Sequence, residues 1–576
     1  MSLIFSLSTS FAGLRNTEAQ LSVASSNVTN ADKTGYTRKS YEADYITTSA
    51  GTVPVDGTTV TANYDEYLYK AMISDSSESG YYEIFSDYLS NYADRLGETG
   101  EDSTLNSALD DLAASLDSLT QTPEDSSLKS EVVRNAELLT YEIRSLSSSV
   151  QDLRAQADQD IALAVNEINQ SLEKLEKLNE QIARAEATDQ STADLEDERR
   201  VELEAVSSYL DVDYFIDSNN QLKIYTGGRA LLDSKAHTLS YTQANIVNSS
   251  VTYPGGFSAI ELNGVDITSS ITSGKVGALL ELRDTTLVEE QAKLDEFATV
   301  LMDEMNALLN SGASLPARSE ITGELQGLSG TDPVSATGSV RISTVDENGE
   351  ILSVADIDLS SAVTLDDIVA SINSALGPDV TASITASGEL QLVANNSGEG
   401  LALNQLDSDI GGTSFSNYFG LNNMFTGTGA ENIYVSDYLR DNADYLATSS
   451  LSATAVVGDA GINAGDSTLT EEMQNLFSAS VSFSAAGNFG AQSSSLDRYV
   501  DKIMSDIASR ADNASEEYST VNILYEQTKT SLQNLSGVNI DEEMAQIVEL
   551  ESKYEAGATL IATIQDMFSE LIAAVR

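Results

Sequence analysis

Apolar residues recur at alternating spacings of three and four positions at both ends of this chain of 576 residues. A 3.5-residue repeat keeps a narrow apolar stripe directed at a partner helix, whereas a lone surface helix needs only a looser 3.6-residue stripe. The N-terminal stripe, broken at Glu18 and Ser25, consists of Ile4, Leu7, Phe11, Leu14, Leu21 and Val28. The C-terminal stripe, broken at Glu551 and Gln565, consists of Ile540, Met544, Ile547, Tyr554, Ala558, Ile561, Phe568, Ile572 and Val575. Because chain termini usually carry little apolar surface, the stripes predict that the ends pair, with each other or with neighbouring subunits.

The interior of the chain alternates between helical and strand-like patterns. Turn formers at residues 27–35 predict the end of the first helix, and a β-branched and aromatic region follows to about Tyr69. Apolar heptads predict long helical rods, or a helical hairpin, from about 103 to 210. Helical patterns return at about 283–309 and again beyond Phe489, with a break at Ser536-Gly537 before the last helix.

Strand signals occupy two intervals, residues 212–275 and 338–427. Within the second, the run SVRISTVDENGEI predicts a hairpin that turns at Glu347-Asn348-Gly349, because Asn-Gly tolerates positive φ in a two-residue loop. Residues 365–375 have the pattern of a short helix inside that interval.

The order helix, β, helix, β, helix predicts an α+β multidomain fold. Long coiled-coil-like terminal helices and a helical rod domain would carry inserted β-rich outer domains, whose chain ends must lie close together. The expected parts are a terminal helical domain (1–35 and 537–576), the rod (36–210, 281–335 and 488–536), a β-rich domain (211–280), an inserted outer domain (336–435) and a return segment (436–487).

Composition limits the partners that the chain is expected to bind and the kinds of site that it can form. The chain has 30 basic and 90 acidic residues, a net charge of −60, so nucleic acid and anionic membranes are not expected to bind it. It has no cysteine, which excludes disulfides and thiolate metal sites. No apolar run approaches the roughly 18 residues of a membrane span. The first basic residue is Arg15, so the N-terminus does not resemble a cleaved signal peptide, and any export is expected to use another route.

Candidate catalytic residues are few. The one histidine, His237, would need a serine and an aspartate such as Asp233 for a triad, but no candidate serine lies in a nucleophile-elbow pattern. Gly274-Lys275 lacks the spacing of a phosphate loop. A calcium loop starting at Asp346 would need glutamate at its twelfth position, where Ile357 stands. We therefore expect no catalytic, cofactor-binding or metal site, and a protein that is not an enzyme.

Short motifs near both termini resemble those of flagellar rod, hook and hook-associated proteins. At the N-terminal end these are Phe11-Ala-Gly-Leu-Arg, Glu18-Ala-Gln, Asn27-Val-Thr-Asn and Gly35-Tyr-Thr-Arg. The C-terminal run Ser536-Gly-Val-Asn-Ile-Asp-Glu-Glu-Met-Ala is similar to the matching signature of the hook-associated junction proteins. Interior runs starting at Gly274 and Phe419 resemble that family less sharply. The motif residues are Asn27, Asn30, Gly35, Tyr36, Arg38, Asn539, Asp541, Glu542, Glu543 and Met544.

This resemblance implies a structural axial protein of the bacterial flagellum. Such proteins leave the cell unfolded through the flagellar type III apparatus, without a cleaved signal peptide, after a cytoplasmic chaperone has held the C-terminal region. Outside the cell, copies would form a ring or helical oligomer between hook and filament, in contact with the hook protein and an adjacent hook-associated protein. The terminal helices would line the inner tube and the β domains would face outward.

Two alternatives remain at this point. One is another axial protein, flagellin or hook-associated protein 3, although the intact Gly35-Tyr-Thr-Arg and Asn539-Ile-Asp-Glu-Glu-Met runs argue against both. The other is a secreted adhesin or hydrolase that happens to have helical ends.

Overall fold

The computed structural model describes residues 3–42, 45–48, 51–54, 59–97 and 105–575. Its helices are α1 Leu3–Asn30, α2 Glu66–Leu96, α3 Leu105–Gln121, α4 Ser126–Ala187, α5 Ala193–Tyr209, α6 Gly274–Glu281, α7 Leu287–Ser311, α8 Leu365–Leu376, α9 Phe415–Phe419, α10 Asp437–Asp441, α11 Thr468–Leu476, α12 Leu496–Ser536 and α13 Ile540–Val575. A π-helical turn, Leu282–Thr286, joins α6 to α7.

Short antiparallel strands lie between these helices. They are β1 Lys39–Glu42, β2 Tyr45–Thr48, β3 Gly51–Pro54, β4 Thr59–Ala62, β5 Asp213–Ile216, β6 Leu222–Thr226, β7 Arg229–Leu232, β8 Leu239–Ser240, β9 Glu261–Leu262, β10 Val265–Asp266, β11 Glu320–Thr322, β12 Ala336–Thr337, β13 Ser339–Val345, β14 Ile351–Asp358, β15 Val380–Ile384, β16 Leu390–Ala394, β17 Gly400–Asn404, β18 Asp409–Ile410, β19 Phe425–Thr426, β20 Tyr434–Val435, β21 Val481–Phe483 and β22 Gln492–Ser494. Long helices with several small sheets confirm the predicted α+β class.

The two terminal helices, α1 and α13, pack against each other and run antiparallel. Near one end of the pair the Asn27 amide lies 2.9 Å from a Glu543 carboxylate oxygen. Thirteen positions earlier in α1 and fourteen later in α13, a Cβ added to Gly557 would lie 3.3 Å from Leu14 Cδ1. The chain ends therefore pair with each other, which is one of the two arrangements that the sequence predicts.

Each predicted apolar stripe consists of two rows of residues spaced seven apart. In each helix only one of these two rows faces the partner helix. In α1 the half-buried row is Leu7, Leu14, Leu21 and Val28, and the exposed row is Ile4, Phe11, Glu18 and Ser25. In α13 the fully exposed row is Met544, Glu551, Ala558, Gln565 and Ile572. The other predicted row has Ile547, Ile561 and Phe568 at least half buried, Ile540 and Tyr554 exposed, and the Val575 side chain outside the described residues.

A different row completes the α1-facing side of α13. Glu543, Leu550 and Ile564 in this row are buried and Gly557 is half buried; one heptad further, Leu571 is exposed and is no longer covered by α1. The predicted row that begins at Met544 is thus one position away from the row that contacts α1, which begins at Glu543. The predicted stripe did not include Glu543 and Gly557, because neither residue has an apolar side chain.

The rod is built around α4, a single helix of 62 residues that spans roughly 93 Å at 1.5 Å per residue. The Asp125 side chain caps its first turn by accepting from the Ser127 and Leu128 amides. The predicted apolar heptads of this helix are buried, from Leu139 to Ile182, and α3, α5, α6 and α7 pack along the helix. The predicted helical start near residue 103 lies outside the described residues.

Helix α2 was not predicted: its start, to about Tyr69, was assigned to the β-branched and aromatic region, and the rest of it to no element. It packs against α12, α5 and α6, and its buried side includes Ser76, Ser77, Ser79 and Gly80. A Cβ at Gly80 would lie 2.3 Å from the Ser208 carbonyl oxygen, so the helices approach each other closely there. Small polar residues on the buried side remove the apolar periodicity by which a helix is recognised in sequence.

The inserted β region has its own apolar core. That core runs from Ile321 to Leu421 and includes α8, whose capping box is formed by Thr364 and Asp367. The predicted hairpin joins β13 to β14, but its loop has three residues, with Asp346 and Glu350 paired at its base. The turn thus lies at Glu347-Asn348-Gly349 as predicted, but only Gly349 has positive φ, +80°, and the two-residue loop geometry expected for Asn-Gly is not formed.

Two asparagines of α7 fasten the return of the insertion to the rod. The Asn306 side-chain oxygen accepts from the Met424 amide at 2.8 Å and the Phe425 amide at 3.0 Å, and its amide donates to the Phe425 carbonyl at 2.8 Å. One turn later, Asn310 accepts from the Asn422 amide at 2.8 Å. Met424 and Phe425 belong to the main core of the rod, so the core of the insertion ends just before them.

Candidate functional site

The buried side chain of Asn27 joins three segments of the chain near the end of α1. Its amide donates to the Lys39 carbonyl and to Glu543 Oε2, both at 2.9 Å. Its oxygen accepts from the Lys39 amide and the Tyr36 hydroxyl, both at 3.0 Å. Since both donor hydrogens and both acceptor positions are used, Asn27 fixes the loop after α1 and the start of α13 relative to α1.

Glu543 is the second residue that holds this junction. Its carboxylate accepts from Asn27 and from Arg38 Nε at 2.7 Å, and its side chain is only 2% exposed. The neighbouring Glu542 lies 3.7 Å from Arg38 and is 61% exposed. The Arg38 amide also donates to the Ser536 carbonyl at 2.6 Å, where α12 ends. The loop after α1 is thus bonded on both sides of the break between α12 and α13.

The same loop is bonded to α5 of the rod. Asp197 accepts from the Thr37 amide at 3.0 Å, the Thr37 hydroxyl at 2.7 Å and Lys39 Nζ at 2.7 Å, and it also pairs with Arg200. Lys39 Nζ makes a further ion pair with Asp194 at 2.6 Å. Although burial opposes the charge, the hydrogen bonds to Asp194 and Asp197 raise the pKa of Lys39, so the lysine stays protonated at neutral pH.

Gly35 is required by the path of this loop. It has φ +75°, and a Cβ there would lie 2.2 Å from Val201 Cγ2 of α5. The backbone conformation and the close approach to α5 both favour glycine.

The six residues Asn27, Thr37, Arg38, Lys39, Asp197 and Glu543 are called the junction cluster below. Of the predicted motif residues, Asn27, Tyr36, Arg38, Glu542 and Glu543 meet at it.

The remaining motif residues act locally or face solvent. Asn539 caps α13 by accepting from the Asp541 and Glu542 amides, and Asn30 donates to Ser26 within α1. Asp541 and Met544 are exposed. The predicted site residues did not include Thr37, Lys39, Asp194, Asp197 and Arg200. The signal was that Thr37 lies within the Gly35-Tyr-Thr-Arg motif and Lys39 directly follows it.

Two apolar surfaces of α13 remain uncovered beside its α1-facing side. Since successive residues of a helix are about 100° apart, Met544 lies to one side of Glu543 and Met567 to the opposite side of Phe568. The leading flank is Ile540, Met544 and Val548, and the trailing flank is Leu560, Met567 and Leu571. All six side chains are 45–59% exposed. In α1, Ile4 and Phe11 are also exposed, at 70% and 48%.

His237 does not belong to a triad in the described part of the chain. Its Nε2 lies 3.2 Å from Asp233 and its Nδ1 lies 3.1 Å from the Asn263 amide nitrogen. A backbone hydrogen bond from Lys235 and the contact with His237 lower the pKa of Asp233 to about 2. Across residues 3–42, 45–48, 51–54, 59–97 and 105–575, no group of three or more acidic or histidine side chains is arranged to hold a metal ion. Within the same ranges, every helix is too short or too polar to span a bilayer.

Two family models match this chain. The model described as the flagellar hook-associated protein FlgK helical domain matches residues 90–324, and the model described as the flagellar basal body rod FlgEFG protein C-terminal region matches residues 532–574. A relative named flagellar hook-associated protein 1 from Escherichia coli is 22% identical over 98% of this chain and 99% of its own length. The chain is thus similar to flagellar hook-associated protein 1 over nearly its whole length.

Other proteins named flagellar hook-associated protein 1 are similar to this chain over different extents. The Bacillus subtilis protein is 28% identical, in a match that covers 48% of this chain and 59% of that protein. The Salmonella typhimurium protein is 21% identical over 97% of this chain and 98% of its own length.

A solved structure has a similar fold. The flagellar hook junction protein FlgK from Burkholderia pseudomallei superposes with a TM-score of 0.51 at 13% identity, covering 81% of this chain and all of that chain. Within the matched 90–324 range lie α3 to α7 of the rod, and the 532–574 match coincides with α13 and the end of α12.

Proposed function

We propose that this chain is a structural axial protein of the bacterial flagellum, which forms the junction between hook and filament. Relatives named flagellar hook-associated protein 1 match nearly its whole length, and a hook junction protein shares its fold. The role is structural rather than catalytic, in keeping with the family. Flagellin and an adhesin gain no support from these similarities.

The observation that carries an assembly role is the pair of apolar flanks on α13. A closed ring or a helical tube needs two unlike surfaces on each copy, so that one surface of a copy meets the other surface of the next. The leading and trailing flanks border opposite edges of the α13 surface that contacts α1, and they consist of different residues. We infer that the leading flank of one copy packs beside the trailing flank of its neighbour.

The predicted C-terminal stripe residues then divide between two tasks. Ile561 and Phe568 pair with α1 inside the chain, and Ile540 and Met544 contact a neighbour. Tyr554, Ala558 and Ile572 lie at exposed positions near these surfaces, so their contact with a neighbouring copy stays a prediction.

Export and the remaining partners follow from the same role. The chain is exported by the flagellar type III apparatus and functions outside the cell, with the hook protein on one side and an adjacent hook-associated protein on the other. A cytoplasmic chaperone would hold the C-terminal region beforehand. Helix α13 is suited to such handling, because much of its surface is exposed and Gly557 costs about 1 kcal/mol of helix stability relative to alanine.

The test replaces flank residues and compares them with equally charged controls. The flank variant carries Val548→Asp and Leu560→Asp, one substitution on each flank. The control carries Ser552→Asp and Thr559→Asp, at exposed positions on the side of α13 away from α1. Each is expressed in a strain that lacks the chain. We expect the flank variant to leave hooks bare and release filament subunits into the medium, whereas the control restores filaments.

The flank variant must also fold for this test to count. Its α13 side chains that face α1 are unchanged, so its thermal unfolding should match that of the control. A variant with Ile561→Asp and Phe568→Asp should instead separate α1 from α13, visible as faster amide exchange in both helices. Normal filaments with the flank variant would rule out the proposed interface.

A further inference from the structure

The methionines of this chain divide sharply by exposure. Of the nine methionines, Met1 lies outside the described residues. Met544 and Met567 are 48% and 50% exposed. The other six are at most 7% exposed: Met72, Met302, Met305, Met424, Met473 and Met504. Within the described part of the chain, accessible thioether sulfur is therefore confined to α13.

The two exposed methionines also occupy matching places on the proposed interface. Met544 is the central residue of the leading flank, between Ile540 and Val548 one turn away on either side. Met567 is in the trailing flank, one turn before Leu571 and two turns after Leu560. Each flank thus presents one flexible, polarizable thioether among branched apolar side chains, which suits a surface that packs against a neighbour.

We propose that Met544 and Met567 are oxidation sites that control whether a copy can assemble. The oxidant is a hydroperoxide. A sulfur lone pair attacks one peroxide oxygen, the O–O bond breaks and an S=O bond forms. The sulfur loses two electrons, and the second peroxide oxygen leaves with the proton as water or an alcohol. Since the chain has no cysteine, no thiol competes for the oxidant.

Oxidation makes each flank polar at its methionine, where packing against a neighbour must exclude water. A sulfoxide is polar, and burying its oxygen between apolar side chains without a hydrogen-bond donor is unfavourable. An oxidised free copy would therefore be rejected by its neighbours, whereas an assembled copy, with both flanks covered, would be protected. This inference rests on the proposed function, because the flanks matter only if copies meet there.

The first test measures reactivity in the free full-length chain. The chain is treated with hydrogen peroxide, and peptide mass spectrometry follows the oxidation of each methionine with time. We expect Met544 and Met567 to react at least tenfold faster than each of the six buried methionines. Equal rates, or faster reaction of a buried methionine, would overturn the inference.

The second test asks whether oxidation at these two positions blocks assembly. Purified wild-type chain and a variant with Met544→Leu and Met567→Leu are each treated with peroxide and added to bare hooks from a strain that lacks the chain. Treated wild type should bind at least tenfold less than untreated wild type, while the leucine variant binds equally well before and after treatment. If both proteins keep binding, or both lose it, the proposed control by these methionines is wrong.

A mimic and a footprint separate this inference from the proposed function. An untreated Met544→Gln, Met567→Gln variant, which carries polar side chains of similar length, should bind hooks more weakly than the leucine variant; equal binding contradicts the inference. In isolated flagella both methionines should resist peroxide. If they react as fast there as in the free chain, the flanks are not covered and the proposed interface fails, even if the free chain shows the expected reactivity.

Discussion

Glu543 is a buried carboxylate in the first turn of a helix whose surface is otherwise largely exposed. It binds Asn27 at the end of α1 and Arg38 in the following loop, and that loop is bonded to α5 through Asp197. One side chain thus links the terminal helix pair to the loop that docks on the rod. Because Asn27 and Arg38 would lose a charged partner together, its removal should be felt in both terminal helices.

Two adjacent glutamates allow a matched test at this scale. Glu543→Ala should destabilise the α1–α13 pair by about 2 kcal/mol, since it breaks a buried, charge-assisted pair whose arginine is only partly buried. Glu542→Ala removes an exposed ion pair and should cost less than about 0.5 kcal/mol. Hydrogen exchange should show amide protection in α13 falling roughly 30-fold for the first variant. Equal effects of the two substitutions would contradict the role given to Glu543.

The junction cluster was only partly predictable from sequence. Asn27, Arg38 and Glu543 are found through the resemblance of the terminal motifs. Asp197 could not be found, because with 90 acidic residues in the chain a single aspartate carries no signal. Lys39 stands next to a motif, yet its burial against α5 depends on tertiary packing that no local pattern encodes.

At the scale of elements, the sequence located most helices but misplaced one packing surface. In α13 the residues that contact α1 include Glu543 and Gly557, which lie in the same row as Leu550 and Ile564. A heptad search favours the neighbouring row because Met544, Ala558 and Ile572 are apolar, although that row is exposed. A helix with apolar residues on three rows fits several registers, and only the partner helix decides between them.

The link between rod and insertion gives a prediction at the same scale. Asn306→Ala would leave the buried Met424 and Phe425 amides without an acceptor and the Phe425 carbonyl without its donor. Each unsatisfied buried group costs about 1–3 kcal/mol, and the surrounding structure relaxes in part, so the free energy of unfolding should fall by about 3 kcal/mol. Ser311→Ala, an exposed change on the same helix, should shift stability by less than about 0.5 kcal/mol. Denaturant unfolding of the two variants makes the comparison, and a similar midpoint for both would refute the fastening role.

At the scale of the whole molecule, the chain leaves the rod, builds a second core and returns to the rod beside its point of departure. The second core spans Ile321 to Leu421, while the rod core draws on both ends of the chain's interior, from Tyr69 to Ala514. The order of helical and strand-like segments was enough to predict this nesting. The strongly acidic composition contributed by exclusion, since it argued against nucleic acid and membranes as partners.

The contacts between copies exist only in the assembly. Because the chain has no cysteine, engineered cysteines would be its only thiols and can be used to map these contacts. The most direct test is cross-linking between engineered cysteines in isolated flagella. Val548→Cys places a thiol on the leading flank and Leu560→Cys one on the trailing flank. The two positions are about 18 Å apart along α13, so a short bis-maleimide cannot join them within one chain.

We expect the double variant to give a ladder of covalent multimers of this chain, because unlike flanks of neighbouring copies meet. Each single variant should stay monomeric under the same treatment. Dimers from a single variant as readily as from the double variant would mean that like surfaces meet, and a double variant that stays monomeric would mean that the flanks do not meet at all; either result would contradict the proposed junction interface.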